Sequence, residues 1–251
     1  MEYRIAIPSK GRAYSIFFKT IQTLKDCGFP ADIIDIFVVE EELYKYALYG
    51  EANAHYKNLI VGVPGLAEQR QFIQNYYPVG QNILFIDDDV EGFKTFPDLP
   101  PLPEIFAKMF QLTVSQGLHL FGVYPVNNLF FQKKRVIRGA VQTVGACFGV
   151  INDRTMNAPQ SEKEDWWNAA HYVKQDGAVL RLDAVGLKTK YWKNPGGLQE
   201  TRTLESIEAA AWEVSNQFPE LLTPPFPKRK GDKVYWDVKF QRLPKQSLPL
   251  P

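Results

Sequence analysis

The chain has 251 residues, and its 29 Lys and Arg nearly cancel its 28 Asp and Glu, leaving a formal charge of +1. A 45% hydrophobic and 14% aromatic content supports a sizeable core and excludes a largely disordered chain. Near-neutrality excludes a wholly basic nucleic-acid coat protein, yet leaves room for one basic face.

Residues 3–8 (YRIAIP) read as a first strand, closed by Pro8-Ser9-Lys10-Gly11. Residues 15–27 read as a helix with Ile16, Phe17, Ile21 and Leu24 on one face, stopped by Gly28. A second strand spans 33–39, a short helix 41–49, a third strand 58–63 and a helix 66–77. Residues 82–86 (NILFI) form a fourth strand that runs into Asp87-Asp88-Asp89. A proline-rich connector, 96–103, precedes a helix over 104–116. Residues 118–124 and 139–151 look like strands, followed by a helix over 163–175, a strand over 179–183 and a helix over 204–217. The tail from Pro219 is expected to wrap or fray rather than fold by itself.

This rhythm predicts an α/β fold with a mostly parallel central sheet and helices on both faces. The expected layout is one domain over 1–218 with a C-terminal extension over 219–251, packed on it or fraying from it. The two cysteines, Cys27 and Cys147, exclude a disulfide scaffold and a cysteine-rich zinc site. His55, His119 and His171 lack metal-ligand spacing. There is no leader pattern and no apolar run approaching about 18 residues. The expectation is a soluble, cytoplasmic protein.

Four motifs carry chemistry, and all sit at strand or helix ends, where α/β sheets bind ligands. In Ile83-Leu84-Phe85-Ile86-Asp87-Asp88-Asp89, adjacent carboxylates repel one another as they leave a buried strand. A hard cation such as Mg²⁺ or Mn²⁺, holding diphosphate oxygens, would compensate them; a solvated acidic turn is the plain alternative. In Gly62-Val63-Pro64-Gly65 and the helix start after it, Arg70 is placed to reach the carboxylates or a phosphate, unless it is a surface arginine. Pro8-Ser9-Lys10-Gly11-Arg12 matches neither a Walker A loop nor a dinucleotide loop. It can lay backbone along a base and cations near a diphosphate. In Ser161-Glu162-Lys163-Glu164-Asp165, Glu164 or Asp165 is a candidate general base at a helix N-terminus. Ser161 with Glu164 also spells a capping box.

The order of these motifs resembles the GT-A glycosyltransferases, which use nucleotide-sugar donors, over roughly residues 3–195. ILFIDDD is similar to their DxD motif and Glu164-Asp165 to their acceptor-base motif. IAIPSKGR, GVPGLAEQRQFI, FIDDDVEGF, GVYPVNNLFF and a late Lys-Asn-Pro-Gly-Gly further resemble the TET/JBP-associated glycosyltransferases. That family occurs in phages, large viruses and kinetoplastids and is linked to sugar addition on hydroxymethylated pyrimidines in DNA.

The resemblance implies a donor pocket lined by Pro8, Ser9, Lys10 and Arg12. Glu40 (or Glu41) would face the base, and Arg70 the nucleotide or phosphate. Asp87 and Asp88 would lie against the donor, and Asp89 with Asp87 would hold Mn²⁺ or Mg²⁺. Asp165 would be the acceptor base, with Glu164 the fallback. Many GT-A enzymes add a late His to the metal, but none follows His171 here. Lys188, Lys190 or Lys193 would instead offset the departing diphosphate. The implied donor is a UDP-sugar, UDP-glucose first, with inversion at the sugar carbon. The implied acceptor is DNA carrying hydroxymethyl bases.

For the DNA, Lys133, Lys134, Arg135 and Arg138 form one basic patch, and Lys228-Arg229-Lys230 another. Phe130, Phe131, Trp166, Trp167 and Trp192 are candidate stacking platforms. Solvated charges and core aromatics are the plain alternative. Residues 145–149 and 195–197 are expected to shape the sugar pocket. Two other functions fit the same residues: transfer to a glycan, protein or small-molecule hydroxyl, and a non-catalytic nucleotide-sugar or nucleic-acid binding module.

Overall fold

The computed structural model describes residues 2–189, 202–230 and 233–251. In chain order, β1 (Arg4–Pro8) is followed by a π-type turn (Phe17–Ile21) that runs into α1 (Gln22–Asp26). Then come β2 (Ile34–Val38), α2 (Leu43–Gly50), β3 (Asn58–Val61), α3 (Leu66–Tyr76), β4 (Asn82–Ile86), β5 (Val90–Thr95) and α4 (Leu102–Ser115). The second half holds β6 (Leu120–Tyr124), β7 (Val136–Gly139), β8 (Cys147–Ile151), α5 (Glu164–Asp176), β9 (Val179–Thr189) and α6 (Leu204–Gln217). It ends with β10 (Phe226–Lys230), β11 (Lys233–Asp237) and β12 (Lys245–Leu248).

One sheet runs β12-β7-β9-β6-β8-β4-β1-β2-β3, with β5 added on β9. The four strands β3, β2, β1 and β4 are parallel, as the alternating rhythm predicts. β8 lies antiparallel between β4 and β6, and β6 is parallel to β9. The C-terminal ends of β1, β2, β4, β6 and β9 therefore open onto one edge. Alternation along each strand sets the two faces. Ile5, Ile7, Leu84 and Ile86 join the core with Phe17, Phe106 and Phe110. Ala6, Ile83 and Phe85 face the other core, with Ile73, Phe148 and Tyr172. β2 and β4 are buried at every position, which is why they read as continuous apolar runs.

The exception inside β2 is Asp35, 1% exposed. Arg4 donates to its Oδ2 through Nε at 3.1 Å and Nη2 at 2.6 Å, Asn58 donates to Oδ1 at 2.7 Å, and the Tyr77 hydroxyl also donates. Removing this hub leaves buried donors unpaired. Asp35→Ala is expected to cost about 2–3 kcal/mol, read as a lower urea midpoint at unchanged slope.

Several boundaries differ from the sequence expectation. Residues 139–151 are not one strand: β7 ends at Gly139, whose φ of 148° suits glycine, and the chain crosses to a different place in the sheet before β8. On the way Thr143 packs on Gly122, where an added Cβ would meet Thr143 Cβ at 2.7 Å. β9 continues past Asp183 to Thr189, and its extension pairs with β5, a strand with no clear apolar alternation. The tail forms an antiparallel hairpin, β10–β11, and β12 then pairs with β7 at the sheet edge. Its prolines are compatible with edge strands, which need fewer backbone donors. Among the described residues no helix is long and apolar enough to cross a membrane.

Candidate active site

The loop after β1 brings Ser9 and Arg12 onto the acidic turn that follows β4. Ser9 is buried; its Oγ lies 2.8 Å from the Tyr46 hydroxyl and donates to Asp88 Oδ2 at 2.5 Å. Arg12 pairs with Asp88 and, at 3.1 Å, with Asp89. Pro8 ends β1, and Lys10 is exposed at the loop's tip. Of the acidic run after β2, Glu40 and Glu41 are exposed, and it is Glu42 that reaches the loop, accepting from the Gly11 amide at 2.8 Å. Tyr46 accepts from the Arg12 amide at 3.2 Å. Glu42 and Tyr46 escaped the sequence reading. Their i, i+4 spacing, with Glu42 immediately before α2 and Tyr46 within it, was the available signal.

The three aspartates have different surroundings. Asp88 points inward and is locked by Ser9 and Arg12. Asp89 accepts from Thr189 Oγ1 at 3.1 Å. Asp87 reaches furthest outward, with 31% of its side chain exposed, and meets Arg70 Nη2 at 3.1 Å. Burial, with the charges of Asp89 and Asp88 added, pushes the Asp87 carboxyl up to about 7; Arg70 and Arg12 offset this only in part. The oxygen donors of Asp87 and Asp89 are those Mg²⁺ or Mn²⁺ prefers. Among the described residues no group of three or more His, Cys, Asp or Glu is placed to hold a metal ion by itself. A cation held by Asp87 and Asp89 would complete its shell with donor oxygens and water.

Of the alternatives the sequence leaves open for Arg70, the surface arginine is not found, and the side chain does reach the carboxylates. It is 3% exposed; both terminal nitrogens are paired inside the protein, while Nε is buried without a partner. Nη1 pairs with Glu164, Nη2 donates to Asp87 and, at 2.8 Å, to the Gly145 carbonyl, and the group lies 5.0 Å from the Phe148 ring centre. Burial pulls the guanidinium down from its ordinary range, while Asp87 and Asp165 hold it up. Arg70 thus bridges the acidic turn and the start of α5.

At α5 the expected capping box is absent. Ser161 Oγ instead accepts from the Ala67 amide at 3.2 Å, at the start of α3. Glu164 is buried, with Oε1 on Arg70 and Oε2 accepting from Asn168 Nδ2 at 2.7 Å. Asp165 is half-buried. Burial raises its carboxyl above the ordinary range; Lys163, the Trp166 amide and Arg70 pull it down, and Asp237 adds to the rise. An added Cβ on Gly145 would sit 2.8 Å from Glu164 Oε1 and 3.4 Å from Asp165 Cβ, so Gly145 leaves room for both acids.

Lys188 is exposed on β9 opposite Gly92 of β5, one residue before Thr189. Its backbone is next to Thr189, which reaches Asp89, but alternation along the strand turns the Lys188 side chain to the other face. Lys190, Trp192, Lys193 and 195–197 lie outside the described residues. Gly149 is a packing residue rather than part of a sugar pocket: an added Cβ would meet the Phe121 ring at 2.2 Å.

The basic patch is partly neutralised. Lys134 pairs with Asp98, and Arg135 Nε donates to Asp183 at 3.0 Å. Lys133 is exposed, and Arg138 lies within β7 opposite Gln246 of β12. Trp166 and Trp167 are 6% and 8% exposed, in a core with Val214, Phe218 and Val238, and present no stacking face. Phe130 and Phe131 are exposed, edge to face at 5.0 Å.

No protein-family model matches the sequence, and no curated protein matches it. Solved structures do match the fold. Glucosyl-3-phosphoglycerate synthase from Mycobacterium tuberculosis, in complex with Mn²⁺, UDP and glucosyl-3-phosphoglycerate, aligns with TM-score 0.54 at 10% identity, over 99% of this chain and 90% of that one. Mannosyl-3-phosphoglycerate synthase from Rubrobacter xylanophilus aligns with TM-score 0.51 at 10% identity, over 100% and 87%. S. aureus TarS 1–349 aligns with TM-score 0.51 at 11% identity, over 86% of this chain and 65% of that one. The chain has the GT-A fold of these proteins.

Proposed function

We propose that the protein is a glycosyltransferase that moves a sugar from a nucleotide-sugar donor to a hydroxyl, with a divalent cation at Asp87 and Asp89. The observation that carries this is the convergence of Ser9, Arg12, Asp87–Asp89 and the Arg70–Glu164–Asp165 chain on one edge of a GT-A sheet. Breaking the sugar–diphosphate bond builds negative charge on the leaving group. A cation bound there supplies charge compensation that grows in the transition state. Arg12 adds fixed positive charge at the acidic turn. Asp165, at the other end of the Arg70 bridge, takes the proton from the acceptor hydroxyl, which favours in-line displacement with inversion. Glu164 is committed to Arg70 and Asn168, so it positions rather than accepts.

Asp89→Ala is the direct test. Asp89 also pairs with Arg12 and Thr189, so a thermal melt of the variant accompanies the activity measurement. Mn²⁺-dependent transfer and donor hydrolysis should fall about 10³-fold, the equivalent of several kcal/mol of charge stabilisation. Turnover at the wild-type level would remove the metal from the reading. Asp88→Ala is expected to destabilise instead, because it strips Ser9 and Arg12 of their shared acceptor.

The finer reading is a UDP-sugar donor, UDP-glucose first, and hydroxymethylated pyrimidines in DNA as acceptor. It is supported by the motif resemblance to the TET/JBP-associated family and by exposed Phe130, Phe131 and Lys133 following β6 at the site's edge. The pairing of Lys134 and Arg135 and the burial of Trp166 favour a second reading, a smaller hydroxyl acceptor on a glycan, protein or metabolite. Mass spectrometry of duplexes containing cytosine, hydroxymethylcytosine or hydroxymethyluracil, incubated with nucleotide sugars, separates the two. A hexose mass gain on a hydroxymethyl base supports DNA; none on any duplex supports the second reading.

A further inference from the structure

Among the described residues, only Arg154 and Lys163 combine a side chain with positive φ. Lys163 sits at φ 57° and ψ 19°, immediately before α5, with no side-chain cap on that helix. A Cβ disfavours this left-handed conformation, so it persists only where the surroundings hold it. The hold is at the far end of the side chain. Lys163 Nζ lies 2.7 Å from Asp237 Oδ1 and 5.9 Å from the Tyr235 ring centre, and both ends of the ion pair are 12% exposed. Asp237 is fixed in turn: the Val238 amide donates to Oδ1 at 3.0 Å and Lys228 Nζ to Oδ2 at 3.1 Å. Asp237 ends β11, which packs on α6. One largely buried ion pair therefore ties the C-terminal hairpin to the first turn of α5, where Glu164 and Asp165 stand.

We propose that Lys163 and Asp237 are positioning residues that set the direction of Asp165 from the hairpin side, as Arg70 sets Glu164 from the sheet side. This rests on the glycosyltransferase reading above. A glycine at 163 would relieve the backbone but drop the tether, which gives a reason for lysine at a conformation that favours glycine. The charged groups facing Asp165 are Lys163, Arg70 and Asp237, together with the Trp166 amide. Losing the Lys163 cation removes an attraction that keeps Asp165 ionised.

The test compares the full chain with Asp237→Asn, Asp237→Glu and Lys163→Met. Asp237→Asn and Lys163→Met should each lower kcat for transfer about tenfold, with UDP–Mn²⁺ affinity by calorimetry held within about twofold. Asp237→Glu keeps the carboxylate and should stay within about threefold of wild type. In Lys163→Met the acid limb of the pH profile should move to higher pH, which lost packing alone would not produce. Hydrogen exchange gives a readout that needs no activity. The Trp167 amide, bonded to the Lys163 carbonyl at 3.0 Å, should exchange about tenfold faster in Asp237→Asn but not in Asp237→Glu. Wild-type exchange in Asp237→Asn overturns the tether, whatever the activity. Wild-type kcat in that variant, with faster exchange, overturns its role in positioning Asp165. A wild-type protein that neither transfers nor hydrolyses any nucleotide sugar defeats the functional reading, and the exchange experiment still decides the tether.

Discussion

If Asp165 is the base proposed above, Asp165→Asn is expected to lower glycosyl transfer roughly 10²–10⁴-fold while donor binding stays at the wild-type level, the range for loss of a general base. The side chain keeps its size and can still accept from the Trp166 amide, so the start of α5 is retained. What disappears is the proton acceptor. Calorimetry with UDP and Mn²⁺ checks binding, and single-turnover transfer checks chemistry. Retained transfer would remove Asp165 as the base. The pH profile provides a second check. The base works only when ionised, and burial raises its carboxyl above the ordinary range, so transfer should be lost as pH falls through that raised value. Asp165→Asn should abolish this limb rather than shift it. Glu164→Gln should behave differently, because Glu164 neutralises Arg70: it should lower stability and turnover together and leave the limb in place.

Much of this site could be read before the fold was known, because its strongest signals are local. β2 and β4 are buried on both faces and so spell continuous apolar runs. Three carboxylates at the end of such a run point to a cation site or to a solvated acidic turn. Other features depend on residues that meet only in three dimensions. Thr189 reaches Asp89 because β9 runs on past Asp183 to pair with β5, and β5 itself carries no alternating pattern. Trp166 looks like a stacking platform beside two acids, yet α6 and the tail cover it. Ser161 and Glu164 have the spacing of a capping box, but each finds a partner near α3 that competes better than the local one. Local spacing names the residues able to form a contact; the tertiary partner decides which contact forms.

Arg70 illustrates the point most sharply and carries the largest expected loss of stability. On α3 its side chain gives no sign of burial, but it lies between Asp87 and Glu164 with 3% and 6% of the Arg70 and Glu164 side chains exposed. Arg70→Met keeps much of the length and leaves Glu164 without its cation. Breaking a buried pair from one side costs about 3–5 kcal/mol, so denaturant unfolding should show a loss of that order. Arg70→Lys should recover only part, since a single ammonium cannot reach Glu164, Asp87 and the Gly145 carbonyl with a planar fork. The dependence on pH has a definite sign. Without Arg70 the buried Glu164 carboxylate has no cation beside it, a cost that is absent where the acid is protonated. The variant's deficit should be smallest at low pH and grow as pH rises and Glu164 ionises. Combining Arg70→Met with Glu164→Leu removes both charges and should be less damaging than the sum of the single changes. A double-mutant cycle showing simple additivity would mean that the pair is not the bridge between the acidic turn and α5.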